Sequence, residues 1–90
     1  MLFMYIHTHT PEACLVDQPK ELMRLFSEVR EGFQKEHVNV VSAHSAAHEH
    51  TFYWLLESDD MAALESALRP MTKIGTAYLM PVRKQDYMLS

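Results

Sequence analysis

The sequence predicts an α+β fold in which two helices cover one face of a four-stranded antiparallel sheet. Two segments have apolar residues at helical spacing, and four short segments are rich in β-branched and aromatic residues. Their order along the chain is strand, helix, strand, strand, helix, strand, which is the βαββαβ order of ferredoxin-like folds. Because crossover connections are right-handed, we expect both helices on the same face of the sheet.

The length of the chain indicates one domain. Ninety residues are enough for a single small hydrophobic core, and a second domain is not expected. We predict a ferredoxin-like domain over residues 1–84 and a carboxyl-terminal tail over residues 85–90. About half of the residues are apolar and 22% are charged, which is the composition of a folded globular protein.

The first predicted strand is the apolar stretch Leu2 to His9. Side chains alternate between the two faces of a strand. One face therefore carries Leu2, Met4, Ile6 and Thr8, and the other carries Phe3, Tyr5, His7 and His9. The two histidines of the second set are two positions apart, so their imidazoles are predicted to share one side of the strand.

Two helices on one face would leave the second face of the sheet uncovered. We expect Phe3, Tyr5, Tyr78 and either Tyr53 or Trp54 to contribute to that uncovered face. This is more aromatic surface than a monomer usually exposes to water. We therefore predict that a second copy covers it, giving a homodimeric α/β barrel with a cleft between the sheet and its partner.

The first helix is predicted over Pro19–Lys35. Its apolar residues recur at intervals of three and four, which is typical of an amphipathic helix with one buried stripe. The stripe consists of Leu22, Leu25, Phe26, Val29 and Phe33. Asp17 is a candidate cap, and Pro19 suits the first turn. Gly32 lowers helix propensity by about 1 kcal/mol relative to alanine, so we expect the last turn to be weak.

The second half of the chain contains a hairpin, a helix and a strand. The hairpin strands are predicted over Val38–His44 and Thr51–Glu57, and their connection lacks an Asn-Gly or Asp-Gly pair, so it should exceed two residues. Acidic residues before Met61 favour the start of a second helix, which should end near Arg69 because a proline follows. Thr76–Val82 is the last predicted strand.

Charge and cysteine content exclude several classes of function. The net charge is −4 and the basic residues are scattered, so we do not expect nucleic acid as a partner. Cys14 is the only cysteine, which excludes an intramolecular disulfide and a four-thiolate zinc site and favours a reducing cytoplasmic location. The apolar start is too short to span a bilayer and lacks a positively charged n-region, so no membrane association is expected.

Three segments resemble a known family. The opening MLFM, the stretch LLESDDMAALESAL and the closing Pro81-Val82 are similar to a family of small bacterial proteins of unknown function in the dimeric α/β-barrel superfamily. The layout is also similar to that of a related ferredoxin-like family that includes nickel-binding members. Relatives typically have an isolated histidine where His44 stands, followed by a glycine-containing turn. This chain instead carries His48 and His50 in the turn.

Five of the six histidines lie in two short segments. Imidazole is the commonest protein ligand for first-row transition metals. In the ferredoxin-like order the first strand lies beside the third, so the end of one meets the start of the other. We therefore predict a site for a divalent metal such as nickel, zinc or copper. The predicted ligands are His7, His9, His44 and His50, with Glu12, Cys14 or Glu49 as a further donor.

Other functions are compatible with the same pattern. Loop histidines are commonly only solvated, and a partly buried His7 hydrogen-bonded to a neighbour is the simpler interpretation of that residue. The family resemblance implies a second hypothesis, an enzyme of the monooxygenase or isomerase type that uses Tyr5, His7 or His44 in the cleft. A third is a dimer that binds a small molecule or has a structural role without metal. No phosphate-binding loop or nucleophile motif is present in the sequence.

Overall fold

The computed structural model describes residues 1–88 and confirms the ferredoxin-like prediction. Four antiparallel strands form one sheet in the order β2-β3-β1-β4. The strands are β1 (Leu2–Thr8), β2 (Asn39–Ala46), β3 (Thr51–Glu57) and β4 (Thr76–Val82), and the helices are α1 (Pro19–Lys35) and α2 (Met61–Leu68). Short 3-10 turns lie at Pro11–Ala13, Ala47–Glu49, Arg69–Lys73 and Asp86–Met88. The predicted tail, 85–90, extends beyond the described residues.

Helix α1 packs on the sheet through its predicted stripe. Leu25, Val29 and Phe33 are buried. Pro19 is the first helical residue, but the predicted cap is wrong, because Gln18 precedes it and provides no side-chain cap. The helix continues through Gly32 to Lys35. A Cβ atom at Gly32 would lie 3.1 Å from Cα and Cβ of Ala67, so glycine allows α1 and α2 to approach closely.

Helix α2 begins at a side-chain cap. Oδ1 of Asp60 accepts a hydrogen bond of 2.9 Å from the backbone N–H of Ala62, which satisfies one of the free amides at the helix start. The helix buries Leu64 and Leu68 against the core. None of the helices in residues 1–88 is sufficiently long and apolar to cross a membrane.

The two faces of the sheet are the reverse of the predicted ones. Phe3 and Tyr5 are only 2% and 3% exposed, and they form the core with Leu56, Leu64 and Met71. The helices thus cover the face that carries the odd-numbered residues of β1. We call the other side of the sheet the open face. On this face Ile6 of β1 pairs with Tyr53 of β3 and with Tyr78 of β4. Tyr53 in turn pairs with His44 of the edge strand β2.

Candidate metal site

The end of β1 meets the β2–β3 turn at two histidines. Because Thr8 pairs with Thr51 in antiparallel register, the residue after Thr8 lies beside the residue before Thr51. The backbone N–H of His9 donates a hydrogen bond of 3.1 Å to the carbonyl of His50. The two ring centroids are 5.2 Å apart, with the rings edge to face. The predicted meeting of the two histidine segments therefore takes place at His9 and His50.

The turn that carries His50 is fixed by local hydrogen bonds. His50 adopts the left-handed conformation, with φ of 51°, and its N–H donates to the carbonyl of Ala47 over 3.2 Å. The hydroxyl of Thr51 donates to the carbonyl of Glu49 over 2.8 Å. These bonds stabilise an otherwise unfavourable backbone conformation for a non-glycine residue, and they orient His50 toward β1.

Cys14 is the third member of the site. The chain turns back after β1 through the 3-10 turn Pro11–Ala13, where Oγ1 of Thr10 accepts from the N–H of Ala13 over 3.3 Å. This returns Cys14 to the two histidines, and one donor atom from each of His9, Cys14 and His50 lies within 4.8 Å of the others. Tetrahedral metal ligands are roughly 3.3–3.8 Å apart. The 4.8 Å limit is wider than this spacing, so the donor atoms would have to approach one another when an ion binds.

The environment of His9 keeps its imidazole available to a metal. His9 is 8% exposed, and the Nδ1 atoms of His9 and His50 are buried without a hydrogen-bond partner among the described residues. Burial lowers the pKa of His9, and the neighbouring His7 and His50 lower it further. A neutral imidazole is the form that binds metal. Nδ1 of His7 is likewise buried without a partner among the described residues, so three imidazoles at this end of the sheet each have an unpartnered nitrogen.

His7 lies behind this group and has a structural contact. It is fully buried, and its Nε2–H donates a hydrogen bond of 2.9 Å to the carbonyl of Met71. Its ring centroid is 5.9 Å from that of His9. A Cβ atom at Gly75 would lie 2.8 Å from Cε1 of His7, so only glycine leaves space for the ring. His7 therefore ties β1 to the segment that leads into β4.

The other predicted ligands lie elsewhere. His44 was predicted to end the second strand and to join His50 as a ligand, but β2 continues to Ala46 and pairs His44 with Tyr53. His44 is consequently exposed at the edge of the sheet, and Glu12 and Glu49 are also exposed. None of these three side chains belongs to the group formed by the two histidines and Cys14.

An apolar cavity of about 230 Å³ adjoins the three donors. Leu15, Leu22 and Ile74 line it together with the donors themselves. His9, Cys14 and His50 would supply three protein ligands to an ion, which would leave a coordination position for a further ligand. Such a centre can polarise or bind a small ligand, since sites with an open position are the ones that exchange water for other molecules.

Solved structures with a similar fold include two proteins. SCO4226 from Streptomyces coelicolor A3(2) is 16% identical, with a TM-score of 0.66, over 94% of this chain and 99% of that chain. An antibiotic biosynthesis monooxygenase is 21% identical, with a TM-score of 0.51, over 93% of this chain and 100% of that chain. At these identities the likeness shows the shared fold alone.

The family assignment comes from the sequence. No curated protein matches the chain significantly. A family model does match, and it spans residues 1–88, which is nearly the whole chain. The resemblance to a family of unknown function is thereby confirmed, and the chain belongs to the family described as Domain of unknown function (DUF3303).

Proposed function

We propose that this protein binds a divalent transition metal ion through His9, Cys14 and His50. The observation that carries the proposal is the convergence of their donor atoms within 4.8 Å. The buried, unpartnered Nδ1 atoms of both histidines support it, because an unsatisfied buried polar atom costs about 1–3 kcal/mol. Metal coordination through these nitrogens would remove that cost.

The donor set favours zinc or copper over nickel. Thiolates select zinc and copper, whereas imidazoles bind zinc, copper and nickel. Zinc accepts two nitrogen donors and one sulfur donor in tetrahedral geometry and leaves a fourth position free. A thiolate ligand also requires a reduced cysteine, in agreement with the cytoplasmic location expected from the lone cysteine.

Calorimetric titration of tag-free protein with zinc, nickel and copper tests the proposal. We expect one ion per chain, with zinc bound more tightly than nickel. Replacing Cys14 by serine or His50 by glutamine should weaken binding at least about tenfold, since loss of even a supporting group around a metal lowers affinity by that much. Cobalt(II) should give a thiolate charge-transfer band in the wild-type protein and none in Cys14→Ser.

Surface histidines provide the matched controls. His44 and His48 are exposed, so His44→Gln and His48→Gln should bind zinc as the wild-type protein does. Equal zinc affinity in Cys14→Ser, His50→Gln and wild-type protein would reject the site. So would wild-type binding no tighter than that of a loose surface histidine.

The enzyme hypothesis has less support from the side chains. Tyr5 and His7, two of its three candidate bases, are buried beneath the helices. Burial also raises the pKa of Tyr5, which makes its phenolate unavailable near neutral pH. Nε2 of His7 is occupied by the carbonyl of Met71. We therefore place the metal-binding function first.

We also propose that two copies associate through the open face. Tyr53, Tyr78 and Met80 expose large apolar surface there, and the described part of the chain contains no further helix to cover it. A self-complementary contact between two copies would bury these side chains, as homodimers commonly do.

A further inference from the structure

A second cavity lies on the helix side of the sheet, away from the metal donors. It is a groove of about 450 Å³ between α1 and β2, with the start of β3 at its base. Phe26 and Phe33 form the helix wall, Phe52 and Trp54 the base, and Ala43 part of the outer wall. β2 is an edge strand, and its helix-facing residues are exposed. The groove is therefore open to entering molecules.

The aromatic residues of the groove are held by mutual packing. Phe26 and Trp54 are edge to face with ring centroids 5.9 Å apart, and Phe52 stacks on Trp54 at 5.8 Å. The same rings contact the core beneath them. A wall built in this way is preformed, so binding an apolar molecule requires little ordering of side chains.

One cation lies among these apolar residues. Arg30 lines the groove, and it follows Phe26 by four positions and precedes Phe33 by three, so the three side chains share one side of α1. Its NH2 group donates to Oγ of Ser27 over 3.3 Å, and no ion pair with a carboxylate is found for it within residues 1–88. The guanidinium retains free donors.

The absence of acidic residues from the groove is informative. The chain has twelve acidic residues and eight basic ones, yet none of the described acidic residues contributes to the lining. The polar side chains of the lining are Arg30, His44 and Ser45. A mostly apolar wall that carries an arginine without a carboxylate partner is complementary to a molecule with an apolar body and one negative charge. Arginine binds carboxylates through two parallel hydrogen bonds.

We propose that this groove binds a small apolar carboxylic acid, with its carboxylate at Arg30 and its aliphatic or aromatic body against Phe26, Phe33 and Trp54. Its volume is within the range of small-molecule sites, about 300–1,000 Å³. The proposal is independent of the metal site, although Phe52 lines both cavities. The binding experiment therefore uses chelator-treated protein, so that a carboxylate bound to metal cannot produce the signal.

Trp54 makes the test direct, because it is the only tryptophan and it lines the groove. Its fluorescence would be followed during titration with three probes of equal chain length: decanoate, decanol and decyltrimethylammonium, each below the concentration at which it self-associates. We expect saturable binding, tightest for decanoate. Arg30→Gln should weaken decanoate binding about five- to tenfold, the range of a partly exposed charge-assisted contact, and leave decanol binding unchanged.

Arg24→Gln is the matched control. Arg24 lies on the same helix, pairs with Glu21 over 3.6 Å and is absent from the groove lining, so this variant should bind decanoate as the wild-type protein does.

Ala43→Leu should weaken the binding of all three probes, because the larger side chain fills the groove, while the circular dichroism spectrum is retained. Equal binding of decanoate and decanol, or equal losses in Arg30→Gln and Arg24→Gln, would overturn the proposal. Trp54 emission that depends on protein concentration but not on decanoate would assign the groove to a second copy and overturn it too.

Discussion

Tyr5 is a titratable residue in the core, and its shifted pKa makes the stability of the fold depend on pH. It is buried, and burial raises its pKa above the usual value of about 10. Above that pH the unfolded chain loses the phenol proton while the folded chain keeps it. The folded state therefore binds more protons, and the free energy of unfolding falls as pH rises, by up to about 1.4 kcal/mol per pH unit.

Denaturant titrations between about pH 9 and pH 11 would measure this effect. Tyr5→Phe should remove most of the decline, because phenylalanine has no proton to release. Tyr78 is 72% exposed, so Tyr78→Phe should retain the wild-type slope. The same slope in all three proteins would show that the phenol of Tyr5 is not buried in solution.

The histidine contact could be predicted at the residue scale, but the complete donor set could not. Antiparallel pairing of the first and third strands is enough to bring His9 beside His50, and it requires no knowledge of side-chain packing. The return of Cys14 depends on the 3-10 turn Pro11–Ala13, whose sequence has no periodicity. The only sequence feature that pointed to Cys14 as a ligand was the presence of a single cysteine five positions after His9. His44 was misplaced because two more residues of β2 pair with β3.

At the scale of the elements, α1 contributes stability through its buried stripe. Leu25 is buried in the core, and Leu25→Ala would leave a cavity there. We expect the free energy of unfolding to fall by about 2–5 kcal/mol, measured by denaturant titration. Phe26→Ala should lower the free energy of unfolding by less, because Phe26 is only partly buried at the groove.

Met23 supplies the control on the same helix. It is 54% exposed, and substitutions at such positions usually change stability by less than about 0.5 kcal/mol. Met23→Ala should therefore unfold at nearly the wild-type denaturant concentration. A loss in Leu25→Ala no larger than that in Met23→Ala would mean that the faces of α1 are reversed in solution.

The elements themselves could be predicted well, whereas their orientation could not. The apolar spacing of α1 reproduces its bounds, Pro19–Lys35, because one face of the helix is apolar and the other is charged. β1 is central in the sheet, and both of its faces are apolar. The alternation of β1 therefore separates Phe3 and Tyr5 from Ile6 but does not indicate which set the helices cover. Gly32, expected to weaken α1, is needed for contact with Ala67.

For the whole molecule, the proposed homodimer depends on the open face. A ninety-residue chain buries a comparatively small share of its surface, and here one complete face of the sheet lacks a helix layer. Tyr53, Tyr78 and Met80 are exposed on that face. We expect the protein to be a homodimer at micromolar concentration, as measured by light scattering during size-exclusion chromatography.

Tyr78→Lys would test which face forms the dimer. Lysine at this position adds a charge to the open face of each copy, and burying two like charges in a contact between these faces is unfavourable. We expect dimer affinity to fall at least about tenfold while the circular dichroism spectrum stays unchanged. Met23→Lys introduces the same charge on the helix side and should remain dimeric. A monomeric wild-type protein would exclude the open face as an interface. A Tyr78→Lys variant as dimeric as Met23→Lys would also exclude it, because a buried contact between two copies cannot accept a charge without loss of affinity.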